Sequence, residues 1–515
     1  MGIKQVMKPI DSDRVRKVTH IISFVLAKNP GVAMDASTEV HKLVGGATGN
    51  ELVWLDQVLR QRASYWEHHL YEWQKLSPHQ LGKLEQFKDA SVSLLGMASF
   101  HSNGYVREAA VNRLALITSG AELPFLILRA NDWVPEIREA AYDAIRARLK
   151  PDYARSFIRN LALVSRLGQA GRSDPKPLVQ SVYQLLQSRE CRTALLESLE
   201  SDDRFTRRAC FKLALNSGAE DLPEVVKKAL AQRDTVVRVW AAQRVSSAFT
   251  AAMLDQFVKL MKHDKFTPVR REALRILVQQ NSPALLVELR AALLDTHASM
   301  REEARYHLRK LDTMDVAGFY RDHFLAGEGV DLYSVISGLG ETGAASDDHF
   351  IVPYTTHPAS KIRGAAIQAL AMLNRNAHVG LFIEALNDQV PHVSRQALNA
   401  LAHKASSLNG ERIWELFRSA THEHVKRNAL ALIEKLGKWD SIYYLLRAVR
   451  DPDEAIADMS KFAVQRWLSQ FNRSFSSPTA EQLSRLPTAL EENGHLLDDR
   501  TFEQLRFSMA GFKHA

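Results

Sequence analysis

The stretch Phe266-Thr-Pro-Val-Arg-Arg-Glu-Ala-Leu-Arg-Ile-Leu277 recurs, in degenerate form, about every 31 residues along most of the chain. A period of that length restricts the fold to architectures in which each unit buries its surface against its neighbours. The 515 residues therefore need not divide into three or four separate domains. Taking the residue before the recurring arginine as a register mark gives Val106, Ile137, Thr206, Val237, Val269, Met300, Ile362, Val393, Val425 and Ile456. The separations are 31, 69, 31, 32, 31, 62, 31, 32 and 31 residues. The 62-residue gap holds two steps, with a degenerate copy near Asp331. The 69-residue gap holds two steps and an insertion, Gly168-Gln-Ala-Gly-Arg-Ser-Asp-Pro-Lys-Pro177. About twelve units result.

Each unit has the same internal logic. Four residues after the mark stands a small residue, as at Ala110, Ala141, Cys210, Ala241, Ala273, Ala304, Ala366, Ala397, Ala429 and Ser460. Eight after it stands an apolar one, as at Leu114, Ile145, Leu277, Leu308, Leu370 and Leu401. Offsets 0, 4 and 8 share one helix face, and the small residue lets a partner helix come close. A turn rich in Asp, Asn, His and Pro precedes the mark, and another amphipathic segment precedes the turn, as at Asp255–Met261 and Leu286–Leu294. Each unit is thus two antiparallel helices stacked on the next pair. The expected fold is all-α: an α-solenoid of about twelve helix pairs over residues 101–470, with a helical N-terminal region over 1–100 and a helical C-terminal cap over 471–515.

At the N-terminus, Ser12-Asp-Arg opens a helical pattern that Asn29-Pro30-Gly31 closes. A short helix is expected from about Asp35 to Val44, one long helix from Glu51 to Leu76, and another from the Ser77-Pro78 cap to about Phe100. At the C-terminus, helices are expected from the Ser477-Pro478 cap to Asn493-Gly494 and over Asp499–Met509. Two cysteines, Cys191 and Cys210, make neither a disulfide framework nor a zinc site and suggest a reducing compartment. Met1–Asp11 lacks the layout of a signal peptide, and apolar runs such as Ile21–Ala27 are far shorter than a membrane span. A cytoplasmic protein without membrane insertion and without a cofactor is expected.

The segments Val134-Pro-Glu-Ile-Arg-Glu-Ala-Ala141, Thr267-Pro-Val-Arg-Arg-Glu-Ala-Leu274 and Leu436-Gly-Lys-Trp-Asp-Ser-Ile-Tyr-Tyr-Leu-Leu446 resemble HEAT repeats, of the short HEAT-like kind also found in phycobilin lyases. The resemblance covers about residues 100–470. It implies that Arg107, Arg138, Arg207, Arg238, Arg270, Arg301 and Arg363 form a structural ladder with carboxylates and carbonyls of the turns. Ser394, Lys426 and Ala457 at the same position mark a lapse of that ladder toward the C-terminus.

Positions two and six after the mark are expected to face outward on the second helix, which resembles the concave lining of such folds. Early units offer Glu108, Asn112, Glu139 and Asp143 there, whereas the middle units offer Arg208, Lys212, Val239, Gln243, Arg271 and Arg275. Glu302, Tyr306, Arg395, Asn399 and Arg427 follow. A net charge of +8 permits an acidic partner. Arg208, Lys212, Gln243, Arg271, Arg275 and Tyr306 are accordingly the expected partner-binding residues of a non-catalytic scaffold or adaptor, its partner a protein with an acidic surface. Nucleic-acid binding or processing, as in HEAT-like DNA glycosylases, and a HEAT-like lyase are the alternatives. Three other motifs point elsewhere. Gly338-Leu-Gly-Glu-Thr-Gly343 fits G-x-G-x-x-G, but it falls at the end of a second helix rather than after a strand. His68 and Glu72, within Tyr65–Trp73, stand one turn apart, and two ligands make no metal site. His422-Glu423 is a single pair, where HEAT-like deoxyhypusine hydroxylases use several.

Overall fold

The computed structural model describes residues 13–60, 70–172, 174–311, 314–326 and 331–510. Met1–Asp11, His68 and most of the Tyr65–Trp73 stretch lie outside them. Helices and turns account for the described residues, with no strand among them. The chain forms two compact units, Met1–Ala273 and Leu274–Ala515, and the division falls inside the helix Thr267–Gln279.

In the first unit five helix pairs follow one another. Their second helices are Gly104–Leu116, Pro135–Arg146, Lys176–Gln187, Arg204–Leu215 and Thr235–Ala248. Their first helices are Ser91–Ala98, Leu123–Arg129, the broken Ala154–Arg159 and Leu161–Leu167, Arg192–Glu197 and Leu222–Leu230. The described part of the insertion, residues 168–172 and 174–175, connects the broken first helix to its partner, which begins at Lys176. Marks and small residues are buried as the pattern requires: Val106, Ala110, Ile137, Ala141, Cys210, Val237 and Ala241 are all in the core. Both cysteines are buried and free, and burial pushes the Cys210 thiol up to about 12.

The N-terminal segment departs from its pattern in two places. Asn29 opens a helix instead of closing one: its side chain accepts from the backbone N–H groups of Gly31 and Val32, and Pro30 occupies the first turn of Pro30–Gly45. The single helix expected up to Phe100 is four short pieces, with Lys88 at φ 21° between Gly82–Glu85 and Ser91–Ala98. Packing decides this against local propensity, because the breaks let Leu81, Leu84 and Ala90 turn inward together with Leu94 and Leu95. Of the long helix expected over Glu51–Leu76, Gly49–Arg60 and Tyr71–Gln74 are helical, and residues 61–69 lie outside the described residues.

Gly49–Arg60 rests on Leu123–Arg129 through a buried ionic cluster. Asp132, with no exposed side-chain surface, accepts from Arg107 at 3.1 Å, Arg129 at 2.9 Å and Arg60 at 3.1 Å. Asp56 lies 2.5 Å from Arg129 and 3.0 Å from Arg60. Burial pushes the Asp56 carboxyl up to about 6 against the pull of Arg60, and Asp132 adds to the rise. Beside the cluster, His101 Nδ1 accepts from the Asn103 N–H at 2.9 Å and Nε2 donates to the Trp73 carbonyl at 3.0 Å. Burial, reinforced by the Arg107 charge, holds the His101 pKa below its ordinary value.

The second unit holds six pairs. Their second helices are Ala298–Leu311, Leu332–Thr342, Ser360–Asn374, Pro391–Leu401, Glu423–Ile433 and Glu454–Gln470, and consecutive ones pack together. The degenerate copy near Asp331 is the pair Val316–Ala326 and Leu332–Thr342. With Ala251–Met261 and Thr267–Gln279, whose second member contains the division, twelve pairs are present among the described residues. Ala480–Asn493 and Asp499–Ala510 follow, and the N-cap is Thr479 rather than Ser477, with Gln482 completing a capping box.

The expected ladder is present in both units. Arg363 donates from Nε and Nη2 to both Asp388 oxygens at 2.7 and 2.9 Å, while Nη1 reaches the His357 and Pro358 carbonyls. Arg107 does the same between Asp132 and the His101 and Ser102 carbonyls. Arg238 pairs with Asp264 at 2.9 Å, and Arg301 binds Glu341 and the Asp295 carbonyl. The expected lapse at Lys426 is corrected: its ammonium meets both Asp451 oxygens at 3.0 and 2.8 Å. Ser394 closes its own turn by donating to the Leu386 carbonyl.

Two tests follow. Arg363→Met removes a part-buried rung and leaves Asp388 and two carbonyls without their donor, so urea unfolding should show a loss of about 2 kcal/mol. Neutral His101 holds the Asn103 amide as an acceptor. Its depressed pKa stabilises the fold above the unfolded value near 6.5, and that contribution is lost as pH falls through the lower folded value. His101→Gln should therefore be less stable than wild type at pH 7.5, with the gap narrowing in thermal melts as pH falls below about 6.5. The gap isolates His101 from Asp56, whose raised pKa acts in the opposite sense over the same window.

Candidate functional site

A concavity that holds two of the expected binding residues lies in the first unit, between the C-terminal halves of Arg204–Leu215 and Thr235–Ala248. It has a volume of about 250 Å³ and is lined by Lys212, Leu215, Asn216, Trp240, Gln243, Arg244 and Ser247. Helical periodicity puts these residues on one side: 212 and 216 are one turn apart, and so are 240, 243, 244 and 247. Leu215 forms a buried floor and the half-buried indole of Trp240 a wall. Lys212, Asn216, Gln243 and Ser247 form an exposed rim. The Lys212 ammonium lies 5.8 Å from the Trp240 ring centre. Arg244 is fixed from below, donating from Nε to the Leu215 carbonyl at 2.8 Å and from Nη1 to Ser247 Oγ.

Of the six expected binding residues, Lys212 and Gln243 are brought together here. Arg208 is not available at this rim. Its guanidinium grips Asp234 through Nε at 2.5 Å and Nη2 at 2.9 Å, and holds the Asp234 carboxyl at about 2, well below the usual range. The rung expected of Arg207 has moved one residue along, and Arg207 keeps only the carbonyl contacts, to Ser201 and Asp202. The shift follows the sequence, since Asp234 caps the next helix by accepting from the Val236 N–H and its second oxygen faces position 208. Arg271 is exposed on Thr267–Gln279. Arg275 and Tyr306 belong to the second unit, where Arg275 is exposed and Tyr306 has Lys310 4.5 Å above its ring. Trp240 and Arg244 were missed because they stand at offsets three and seven, which the repeat reserves for neither core nor rim. The one signal was a tryptophan at a position of the second helix where no other unit has an aromatic residue.

The remaining motifs are structural. In Gly338-Leu-Gly-Glu-Thr-Gly343 the glycines sit in and just after the helix Leu332–Thr342. Gly338 faces the ring of Tyr320, and a Cβ on Gly340 would lie 2.5 Å from the Cβ of Ala369 and 2.7 Å from its Cα. His422 occupies the N-cap position of Glu423–Ile433 without a side-chain capping bond and stacks on His424, while Glu423 pairs with Arg427. No group of three or more metal-binding side chains occurs among the described residues, and no helix among them is long and apolar enough to cross a membrane. Gly340→Ala should lower stability by about 1–3 kcal/mol in denaturant unfolding, because the methyl meets backbone rather than a movable side-chain end.

No family model and no curated protein matches the chain. Solved structures that it resembles include the Kap95:Nup1 complex, at 12% identity over 97% of this chain and 67% of that one with a TM-score of 0.37. Importin beta aligns at 11% identity over 95% of this chain and 84% of the other, with a TM-score of 0.34. The CpcE–CpcF complex of phycocyanin lyase from Nostoc sp. PCC7120 aligns at 19% identity over 48% of this chain and 94% of the other, with a TM-score of 0.23. Similarity at these values carries no argument about mechanism or partner. On its own helix pairing and its own arginine rungs, each unit of the chain is a stack of HEAT-like helix pairs.

Proposed function

We propose that the chain is a non-catalytic binding scaffold that docks an acidic protein segment on the second-helix face of its first unit. The observation that carries this reading is the cleft of Lys212, Trp240 and Gln243. It joins an exposed cation, a half-buried aromatic wall and amide and hydroxyl groups on a helical frame, the composition of a docking hot spot. Its volume of about 250 Å³ falls below the usual range for pockets that enclose a small molecule, and suits one or two side chains of a larger partner. The cation supplies orientation and encounter rate, and the indole supplies area that is desolvated on contact.

The reading assigns different roles to two neighbouring cations. Lys212 meets the partner, whereas Arg208 holds the repeat together, so charge reversal at Arg208 would report on folding. The test uses the full chain as bait, with Lys212→Glu combined with Trp240→Ala. Partner recovery from the native host should fall about tenfold or more while the melting temperature stays unchanged. Full recovery with the double variant would overturn the assignment. Recovery of nucleic acid in place of protein, with affinity falling steeply with salt, would establish the competing reading.

A further inference from the structure

A second recess lies in the other unit, at its last helix pair. It has a volume of about 440 Å³, within the usual range for ligand pockets, and lies between Lys438–Ala448, Glu454–Gln470 and the segment that follows. Four cations line it, Lys435, Lys438, Arg466 and Arg473, against the one carboxylate of Glu434. Its apolar wall is Trp467 and Phe471 with Leu445 and Ala463.

The recess is rigid before any ligand arrives. Trp467 Nε1 donates to the Lys438 carbonyl at 2.9 Å, which fixes the indole as a wall. The Lys438 ammonium donates to the Phe471 and Ser474 carbonyls at 2.8 and 2.7 Å, and lies 3.8 Å from the Phe471 ring centre and 5.1 Å from that of Trp439. An ammonium has three donors, so one N–H of Lys438 has no oxygen acceptor among the described residues and faces the Phe471 ring. Arg466 is anchored to Glu434 through a single nitrogen at 2.7 Å, which leaves most of its donor fork for another anion. Lys435 and Arg473 are exposed on the rim. Burial holds the Lys438 pKa below its ordinary value, as for an ammonium that gains from a counter-charge.

We propose that this recess binds a carboxylate attached to an apolar or aromatic group. The carboxylate meets Lys438 and Arg466, and the apolar part lies on Trp467 and Leu445. A bare phosphate would satisfy the cations and leave that wall uncovered. A carboxylate of this kind can be carried on an acidic-aromatic peptide or be a free small acid. The site stands apart from the Lys212–Trp240 cleft and does not depend on it.

The experiment is calorimetric titration of the full chain with acetyl-Phe-Asp-amide, with phenylacetate and with inorganic phosphate. One or both carboxylates should saturate the protein while phosphate binds at least about tenfold more weakly. Tighter binding of the peptide identifies a chain-borne ligand, and equal or tighter binding of phenylacetate a free acid. Lys438→Met should weaken binding about tenfold or more. Because Lys438 also ties down the turn after Gln470, Lys435→Glu with Arg473→Glu serves as a second variant on exposed positions, which should weaken binding without moving the melting temperature. No saturation by either carboxylate up to about 10 mM, phosphate binding as tightly, or undiminished binding in both variants would overturn the proposal.

Discussion

The arginine that follows seven of the ten register marks is the interaction on which the stacking most depends. A chain of short helices leaves carbonyls unsatisfied at every helix end, and stacking buries many of them. It also brings the carboxylate of the next turn into the same crowded space. One guanidinium answers both demands, because its donors sit in a rigid planar fork. Arg363 shows the full arrangement, with Nη1 on the two carbonyls behind it and Nε and Nη2 on Asp388 ahead. Each rung therefore ties one turn to the next. Lys426 keeps the half of the rung that a point charge can make, the pairing with Asp451.

At Asp132 the rung becomes an anchor for the N-terminal segment. Arg107 is the ordinary rung, but Arg129 and Arg60 converge on the same carboxylate, and Asp56 balances part of the added charge. Fully buried charges repay their desolvation only when hydrogen bonds are nearly complete. That condition makes the cluster specific more than strongly stabilising: Gly49–Arg60 can dock where Asp56 and Arg60 meet this set of partners, and a shift of one turn would leave charges buried alone.

The repeated part of the fold was readable because its signal is redundant. Ten marks and ten small residues each point to the same helix face, so errors at one unit are corrected by its neighbours. The N-terminal segment has no such redundancy. Asn29-Pro30-Gly31 reads equally well as a stop or a start, and only the bonds from Gly31 and Val32 decide it. The break at Lys88 comes from tertiary packing and leaves no local mark. The candidate cleft was half readable. Offset arithmetic found Lys212 and Gln243, because exposure follows from the helix period. It also picked out Arg208, because the period says which way a side chain sets out and nothing about which carboxylate it meets. Asp234 lies 26 residues away in sequence and reaches Arg208 in place of Arg207.

On the proposed reading, that difference separates the residues of the fold from those of the site. A residue that stacks the repeat must recur, since every unit faces the same packing problem. A residue that meets a partner need occur only once, and its neighbours gain nothing from copying it. Trp240 is unmatched at its position in adjoining units, and so is the triad of Lys438, Trp467 and Phe471. Both sets break the pattern by placing an aromatic beside a cation on a frame that the rungs already hold rigid. A rigid frame means that such a group pays little ordering entropy on binding. On the proposed reading, the positions that meet a partner are unrepeated aromatics held against a cation, and the recurrent arginines that first draw attention by their charge are the ones already engaged.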